Sequence, residues 1–192
     1  MRVTGGILKG RQLTAPAGQH VRPTIDKVRE AVFNILAHEV PGAAVLDLFA
    51  GAGTLGIEAL SRGAESAVFV ENASAATRVL QKNLDQLHLE ALTLQMDWSA
   101  ALKRLAQNRQ RFDLIFADPP YQKFTPAQIA DAVAESRLLA PNGILIIETD
   151  AKADADLSLP VLKRRSFGQT QLIFCSAGAD CADCAEEVEP GE

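Results

Sequence analysis

Apolar and polar positions along this 192-residue chain follow two periods. Short apolar runs at 44–49, 66–71, 91–95, 112–117 and 143–148 read as buried strands. Between them, stretches near 54–62, 73–87, 98–107 and 125–138 carry apolar residues at helical spacing. In the second stretch, Ala76, Val79, Leu80, Asn83, Leu84 and Leu87 form one stripe. The third, with Ala101, Leu102 and Leu105, is shorter. Strands alternating with helices predict a mostly parallel sheet covered on both faces. The end breaks that alternation. Residues 161–167, then Gly168-Gln169, then 170–175 read as two strands and a tight turn, an antiparallel hairpin.

The beginning differs again. Val3 to Leu13 sets glycines between short apolar positions, which predicts a small hairpin or an extended arm. Residues 14–23 carry Pro16, Gly18 and Pro23 and read as loop. Thr24 is placed to cap a helix with Asp26 and Lys27 in its first turns. Val28, Ala31, Val32, Ile35 and Leu36 continue it, and Pro41-Gly42 ends the run.

Composition fits one compact domain with a small appendage. No apolar run approaches the roughly 18 residues that span a bilayer. Met1 to Gly6 lacks the apolar core of a signal peptide, so a cytoplasmic protein is expected. A net charge of −5 argues against a nucleic-acid partner, but its distribution reverses that argument. Residues 1–23 hold Arg2, Lys9, Arg11 and Arg22 and no acid, while residues 175–192 hold six acids and no base. An acidic tail masks a basic N-terminal arm. Cys181 and Cys184 form a C-x-x-C in that tail. Without a second ligand pair it reads as reduced thiols in a disordered segment, not as zinc.

Four residues carry the most chemistry. Asp118-Pro119-Pro120-Tyr121 follows the apolar run Phe112–Ala117. Neither proline can donate to a sheet ladder. The quartet instead holds a carboxylate, a carbonyl and an aromatic ring in fixed relation, which suits gripping a planar amine for alkylation. Upstream, Gly51, Gly53 and Gly56 match G-x-G-x-x-G after the first strand of the alternating series. Such glycines permit a tight turn and close approach of a ligand to a helix N-terminus. That match alone also fits an NAD-dependent oxidoreductase. The acids separate the two. Asp47 lies four residues before Gly51, where a carboxylate would repel pyrophosphate and accept from an ammonium. Glu71 ends the next strand, placed for a ribose hydroxyl or simply for solvent. Asp97 follows a third, placed for an adenine amine or for capping the next helix. Ligands bind at the carboxyl ends of strands in such sheets. Four acids there suit S-adenosylmethionine, which carries a sulfonium, an ammonium, a ribose and an adenine and no phosphate.

In this order and spacing these residues resemble class I S-adenosylmethionine-dependent methyltransferases, and the quartet resembles their amino-group branch. Arg2 to Leu13, Arg22-Pro23-Thr24 and Val28 to Asn34 are similar to the bacterial 16S ribosomal RNA guanine-N2 methyltransferases of the small subunit. The similarity covers about residues 1–175. It implies a Rossmann-like α/β fold: a seven-stranded, mostly parallel sheet with helices on both faces, the last strand antiparallel, plus a small N-terminal hairpin and helix. It implies residues 1–40 as an RNA-contacting extension, 41–176 as the methyltransferase domain and 177–192 as the acidic tail. Cofactor contacts are implied for Asp47, Phe49, Gly51, Gly53, Glu71, Asn72, Asp97, Trp98 and Asp118, and catalytic roles for Asp118, Pro119, Pro120 and Tyr121. Arg2, Lys9, Arg11 and Arg22 are the implied RNA-binding residues. The expected partner is 16S ribosomal RNA within a small-subunit assembly particle, with this chain a monomer and no membrane or metal involved. The quartet is shared with adenine-N6 methylases of DNA or RNA, so the choice of guanine rests on residues 1–34. A protein-amide methylase and a catalytically silent RNA-binding assembly factor on the same fold also stay open.

Overall fold

The computed structural model describes residues 1–15, 23–120, 123–150 and 156–177. Its elements run α1 (Pro23–Ile35), β1 (Ala44–Asp47), α2 (Thr54–Ser61), β2 (Ser66–Val70), α3 (Ser74–Leu87) and β3 (Leu92–Leu94). They continue with α4 (Trp98–Gln107), β4 (Phe112–Ala117), α5 (Pro126–Ser136), β5 (Leu139–Asp150), β6 (Val161–Phe167) and β7 (Thr170–Ser176). The seven strands form one sheet in the order β3-β2-β1-β4-β5-β7-β6. Neighbours from β3 to β5 pair in parallel. The last strand, β7, is antiparallel to both β5 and β6.

Successive strand residues feed opposite faces, because side chains alternate across a strand. Val45, Phe69, Leu114 and Phe116 pack with Val32, Phe33 and Leu36 around α1 and with Leu80 and Leu84 of α3. Leu46, Val68, Ile115 and Ile147 pack with Leu102 and Leu105 of α4 and Ile129 and Val133 of α5. Both faces are covered, so the central strands read as continuous apolar runs. Val3 and Leu13 belong to the first of these cores. The N-terminal segment is therefore seated on the sheet's helical layer, its limbs joined by the Arg2–Gln12 bridge and a bond from Leu13 N–H to the Met1 carbonyl at 2.9 Å.

Boundaries depart from the sequence expectation at several places, three of them in α1 and β5. α1 starts at Pro23, which puts Thr24 inside its first turn instead of ahead of it. Proline fits that first position because its missing N–H would be unpaired there anyway. α1 then ends at Ile35, and Leu36 and Val40 reach the core from turns, not from a longer helix. β5 begins at Leu139, ahead of the expected 143. Leu139 pairs with Phe112 and Ile144 with Leu114, so residues 140–143 bulge out, with Asn142 at φ 64°. No helix among the described residues is long and apolar enough to cross a membrane.

Candidate active site

The carboxyl ends of β1, β2 and β4 open into one cavity of about 710 Å³. That is within the usual size for a pocket that holds a small organic ligand, roughly 300–1,000 Å³. Its lining brings together Asp47, Phe49, Gly51, Glu71, Asn72, Asp97, Trp98, Asp118, Pro119 and Pro120, each expected from the sequence. Met1, Met96, Lys123 and Phe124 complete much of the wall.

Asp47 is the last residue of β1 and only 1% exposed. Its Oδ2 accepts from the Gly56 N–H at 3.1 Å, and its Oδ1 has no partner among the described residues. Burial pushes its pKa up to about 7; acceptance from the Gly56 N–H pulls the other way, and Glu71 adds to the rise. An unpaired buried carboxylate oxygen at a cavity wall is costly unless a cation or donor meets it. Gly53, at φ 83°, is the N-cap of α2, and its own N–H reaches the Ala50 carbonyl at 2.7 Å. A Cβ at Gly56 would collide with the Phe69 ring, so this position needs glycine for close helix–sheet approach.

Glu71 ties the loop down. Its Oε2 accepts from the Gly51 N–H at 2.8 Å and its Oε1 from the Ala73 N–H at 2.7 Å. Asp97 is the N-cap of α4: Oδ1 accepts from the Ser99 N–H at 2.9 Å and the Ser99 hydroxyl at 2.7 Å. The Ser99 hydroxyl first, with main-chain N–H groups behind it, holds the Asp97 carboxyl below the usual carboxylate range against a small burial effect.

Asp118 lies one residue past β4 and opens onto the cavity. Its side chain is exposed to solvent there, with the body of the domain behind it. Partial desolvation from that side, then the nearby charges of Glu148 and Asp47, raise its pKa above the ordinary value. Solvent in the cavity tempers the burial contribution but leaves its direction unchanged. Pro119 is buried; the Pro120 carbonyl accepts from the Lys123 N–H at 2.8 Å. Tyr121 lies outside the described residues.

Phe49, Trp98 and Phe124 form an aromatic cluster with ring centroids 5.5–5.8 Å apart. Nothing in the sequence around Phe124 marks it as a site residue. It sits in a short stretch between the quartet and the cap of α5, and only tertiary closure sets it against Phe49 and Trp98. Asn83 is likewise hidden, as one position in an apolar stripe. A polar residue in such a stripe must find partners. Its Oδ1 accepts from the Thr14 N–H at 2.8 Å, and its Nδ2 donates to the Thr14 carbonyl at 3.1 Å and the Ala52 carbonyl at 2.9 Å.

The basic candidates fall on the N-terminal segment. Arg2, Lys9 and Arg11 are exposed; Arg11 makes a long bond to the Gln86 carbonyl at 3.4 Å. Arg22 and the Cys181/Cys184 tail lie outside the described residues. The segment is pinned through Glu58, whose carboxylate accepts from the Thr4 N–H, the Thr4 hydroxyl and Arg62 Nε, each at 2.7 Å. Ser61 secures its turn, accepting from Leu8 N–H at 2.9 Å and donating to the Gly5 carbonyl at 2.6 Å.

Comparison with known proteins gives the chain a family. Residues 1–176 match the model of a family described as Conserved hypothetical protein 95. Ribosomal RNA small subunit methyltransferase D of Haemophilus influenzae is 34% identical, over 88% of this chain and 89% of its own length. Its namesake in Escherichia coli is 36% identical, over 79% and 76%. A hypothetical protein of Thermus thermophilus superimposes with a TM-score of 0.80 at 30% identity, covering 91% of this chain and 98% of that one. A Thermus thermophilus 16S rRNA guanine-N2 methyltransferase, solved with S-adenosylmethionine and guanosine, gives 0.62 at 26% identity, covering 83% of this chain and 44% of that one. The chain therefore belongs to the Conserved hypothetical protein 95 family, together with the small-subunit methyltransferase D proteins, and is an S-adenosylmethionine-dependent methyltransferase.

Proposed function

We propose that this protein methylates the exocyclic N2 amine of one guanine in 16S ribosomal RNA, taking the base out of its stack to do so. The observation that carries the reading is Asp118, open to a cavity whose wall also holds three further carboxylates, Asp47, Glu71 and Asp97, and the rings of Phe49, Trp98 and Phe124. The cavity's chemistry fits S-adenosylmethionine: an unpaired oxygen on Asp47, the carboxylates of Glu71 and Asp97, and the rings of Phe49 and Trp98. When bound, it supplies a methyl group already activated on a sulfonium. Asp47 would hold the ammonium, Glu71 the ribose, and Asp97 with Asn72 and Trp98 the adenine end.

A stacked guanine cannot bring N2 to a cavity in the sheet, so the base is flipped. Tyr121 stacks on the flipped ring, an interaction worth about 1–3 kcal/mol. The N2 lone pair is delocalised into the purine. Asp118 and the Pro119 carbonyl accept its two hydrogens and favour a tetrahedral nitrogen with the lone pair aimed at the methyl carbon. The N–C bond forms as the C–S bond breaks, and N2 becomes positive. Asp118 stabilises that charge and then takes the proton, or passes it to water. Fixed acceptors of this kind act mainly through position and electrostatics. A sulfonium beside it would favour the ionised carboxylate that this role needs, against the burial and neighbouring acids that raise the Asp118 pKa in the ligand-free protein.

The exposed Arg2, Lys9 and Arg11, with Arg22, neutralise RNA phosphates in this reading. The small-subunit ribosomal RNA methyltransferases among the relatives support an rRNA substrate, and the guanosine complex of the Thermus thermophilus N2 methyltransferase favours guanine over adenine. Tritium transfer from labelled S-adenosylmethionine to unmethylated small subunits and to naked 16S rRNA tests the substrate. Nucleoside mass spectrometry then identifies the base. N2-methylguanosine is expected; N6-methyladenosine, or no transfer to either RNA, overturns the reading.

A further inference from the structure

Two parts of the molecule with different proposed tasks share one buried side chain. The N-terminal segment carries the exposed bases, and the glycine loop borders the cavity. Asn83 of α3 sits between them at 0% exposure. Its amide holds the Thr14 main chain by both N–H and carbonyl, and the Ala52 carbonyl on the other side. Thr14 follows Leu13, which bonds to Met1, and both Met1 and Ala52 line the cavity. One amide thus joins two stretches of the same wall.

We propose that Asn83 is a positioning residue that couples the N-terminal segment to the glycine loop, so that 16S rRNA and S-adenosylmethionine each tighten binding of the other. The proposal rests on the rRNA reading above. Its physical basis is the completeness of the three bonds. With residues 13–14 seated, every donor and acceptor of the amide is used. With that limb lifted, Oδ1 and one Nδ2 hydrogen face an apolar helix stripe unpaired, and the hold on Ala52 weakens. A ligand that keeps either side seated lowers the cost for the ligand on the other side. The far limb cannot substitute, because Glu58 and Ser61 pin Thr4 and Leu8 toward the C-terminal half of α2, away from the loop. Linkage makes the effect reciprocal.

The test uses the full chain, with S-adenosylhomocysteine and an unmethylated 16S rRNA transcript as probes. The dissociation constant of each is measured alone and with the other saturating. Wild type is expected to show the same gain in both directions, about fivefold or more. Asn83→Ala is expected to bring that ratio to about one while both probes still bind. Should Asn83→Ala not fold, Thr14→Pro decides, since it removes the N–H that Asn83 accepts and leaves the amide itself in place. A wild-type ratio of one, or a ratio retained in the variants, overturns the coupling and leaves methyl transfer to rRNA standing. Failure of wild type to bind the transcript at all removes the rRNA reading and the coupling with it.

Discussion

The carboxylates on the two sides of the cavity are held in opposite ways. On the glycine-loop side, Asp47, Glu71 and Asp97 each accept main-chain N–H groups, from Gly56, from Gly51 and Ala73, and from Ser99. Their orientation is set before any ligand arrives. On the β4 side, Asp118 sits beyond its strand, open to the cavity and crowded by the charges of Glu148 and Asp47. Glu71 has both oxygens engaged by the fold and Asp97 one, whereas Asp47 keeps one buried oxygen unpaired. Burial first, then the two neighbouring carboxylates, disfavour the ionised form of Asp118, which a cationic partner would favour.

The sharpest way to break this contrast is Asp118→Ala. Methyl transfer is expected to fall by about 10²–10³ or more while S-adenosylhomocysteine affinity changes by only a few fold. Near-wild-type turnover would remove Asp118 from the chemistry. Tyr121→Ala should cost about 10–100-fold in kcat/KM for RNA, since stacking is worth about 1–3 kcal/mol. Tyr121→Phe should restore most of it, and failure to do so would give the hydroxyl a role that stacking does not.

Asp47 predicts a pH effect. Its folded-state pKa of about 7 lies above the ordinary value of 3.8, so the ligand-free protein loses stability as pH rises from about 4 through 7. Below the lower value the contribution is fully present; above the upper it is gone. Binding of an ammonium needs the ionised form, so S-adenosylhomocysteine affinity should climb toward pH 7 and then level. In Asp47→Asn both trends should flatten, as read by calorimetry and thermal melts across a range of about pH 5–8. An unchanged affinity profile in that variant would place the ammonium elsewhere.

Smaller effects are expected away from the carboxylates. Replacing Lys9 and Arg11 by Gln should weaken RNA binding uniformly and reduce the salt slope by about 0.7–0.9 for each phosphate no longer neutralised. Cofactor affinity without RNA should stay put. Asp97→Ala should lower stability by about 1 kcal/mol through loss of the α4 cap. A larger loss in cofactor affinity than in stability would show that this carboxylate serves the ligand as well as the helix.

Much of this was legible in the chain. Each apolar run became a strand, because strands covered on both faces need no polar alternation, and Val45 and Leu46 supply opposite cores. Asp47, Glu71, Asp97 and Asp118 converge because they occupy corresponding strand ends in a parallel sheet. Local rules failed where distant closure decides. Asp97 carried two readings, and the structure realises the cap, since Ser99 lies two residues away and helix capping needs no tertiary partner. Phe124 joined the site only through packing between loops after β1, β3 and β4. Asn83 matches the spacing of its stripe so well that the pattern hides its polarity. The N-terminal segment reads as an arm; Val3 and Leu13 bind it into the core, so deleting it would unsettle the sheet's cover as well as remove charge.

The position of β7 has a consequence for how the protein is made. It is the last of the described strands to be synthesised, yet it lies between β5 and β6. Until residues 170–176 leave the ribosome, β5 presents an open edge along Ile144–Asp150, and β6 has no neighbour in the sheet. Unpaired edges of that kind recruit other strands. Slow translation between β5 and β7 would prolong exposure of the β5 edge, which closes once β7 is in place and leaves β3 and β6 as the outer strands.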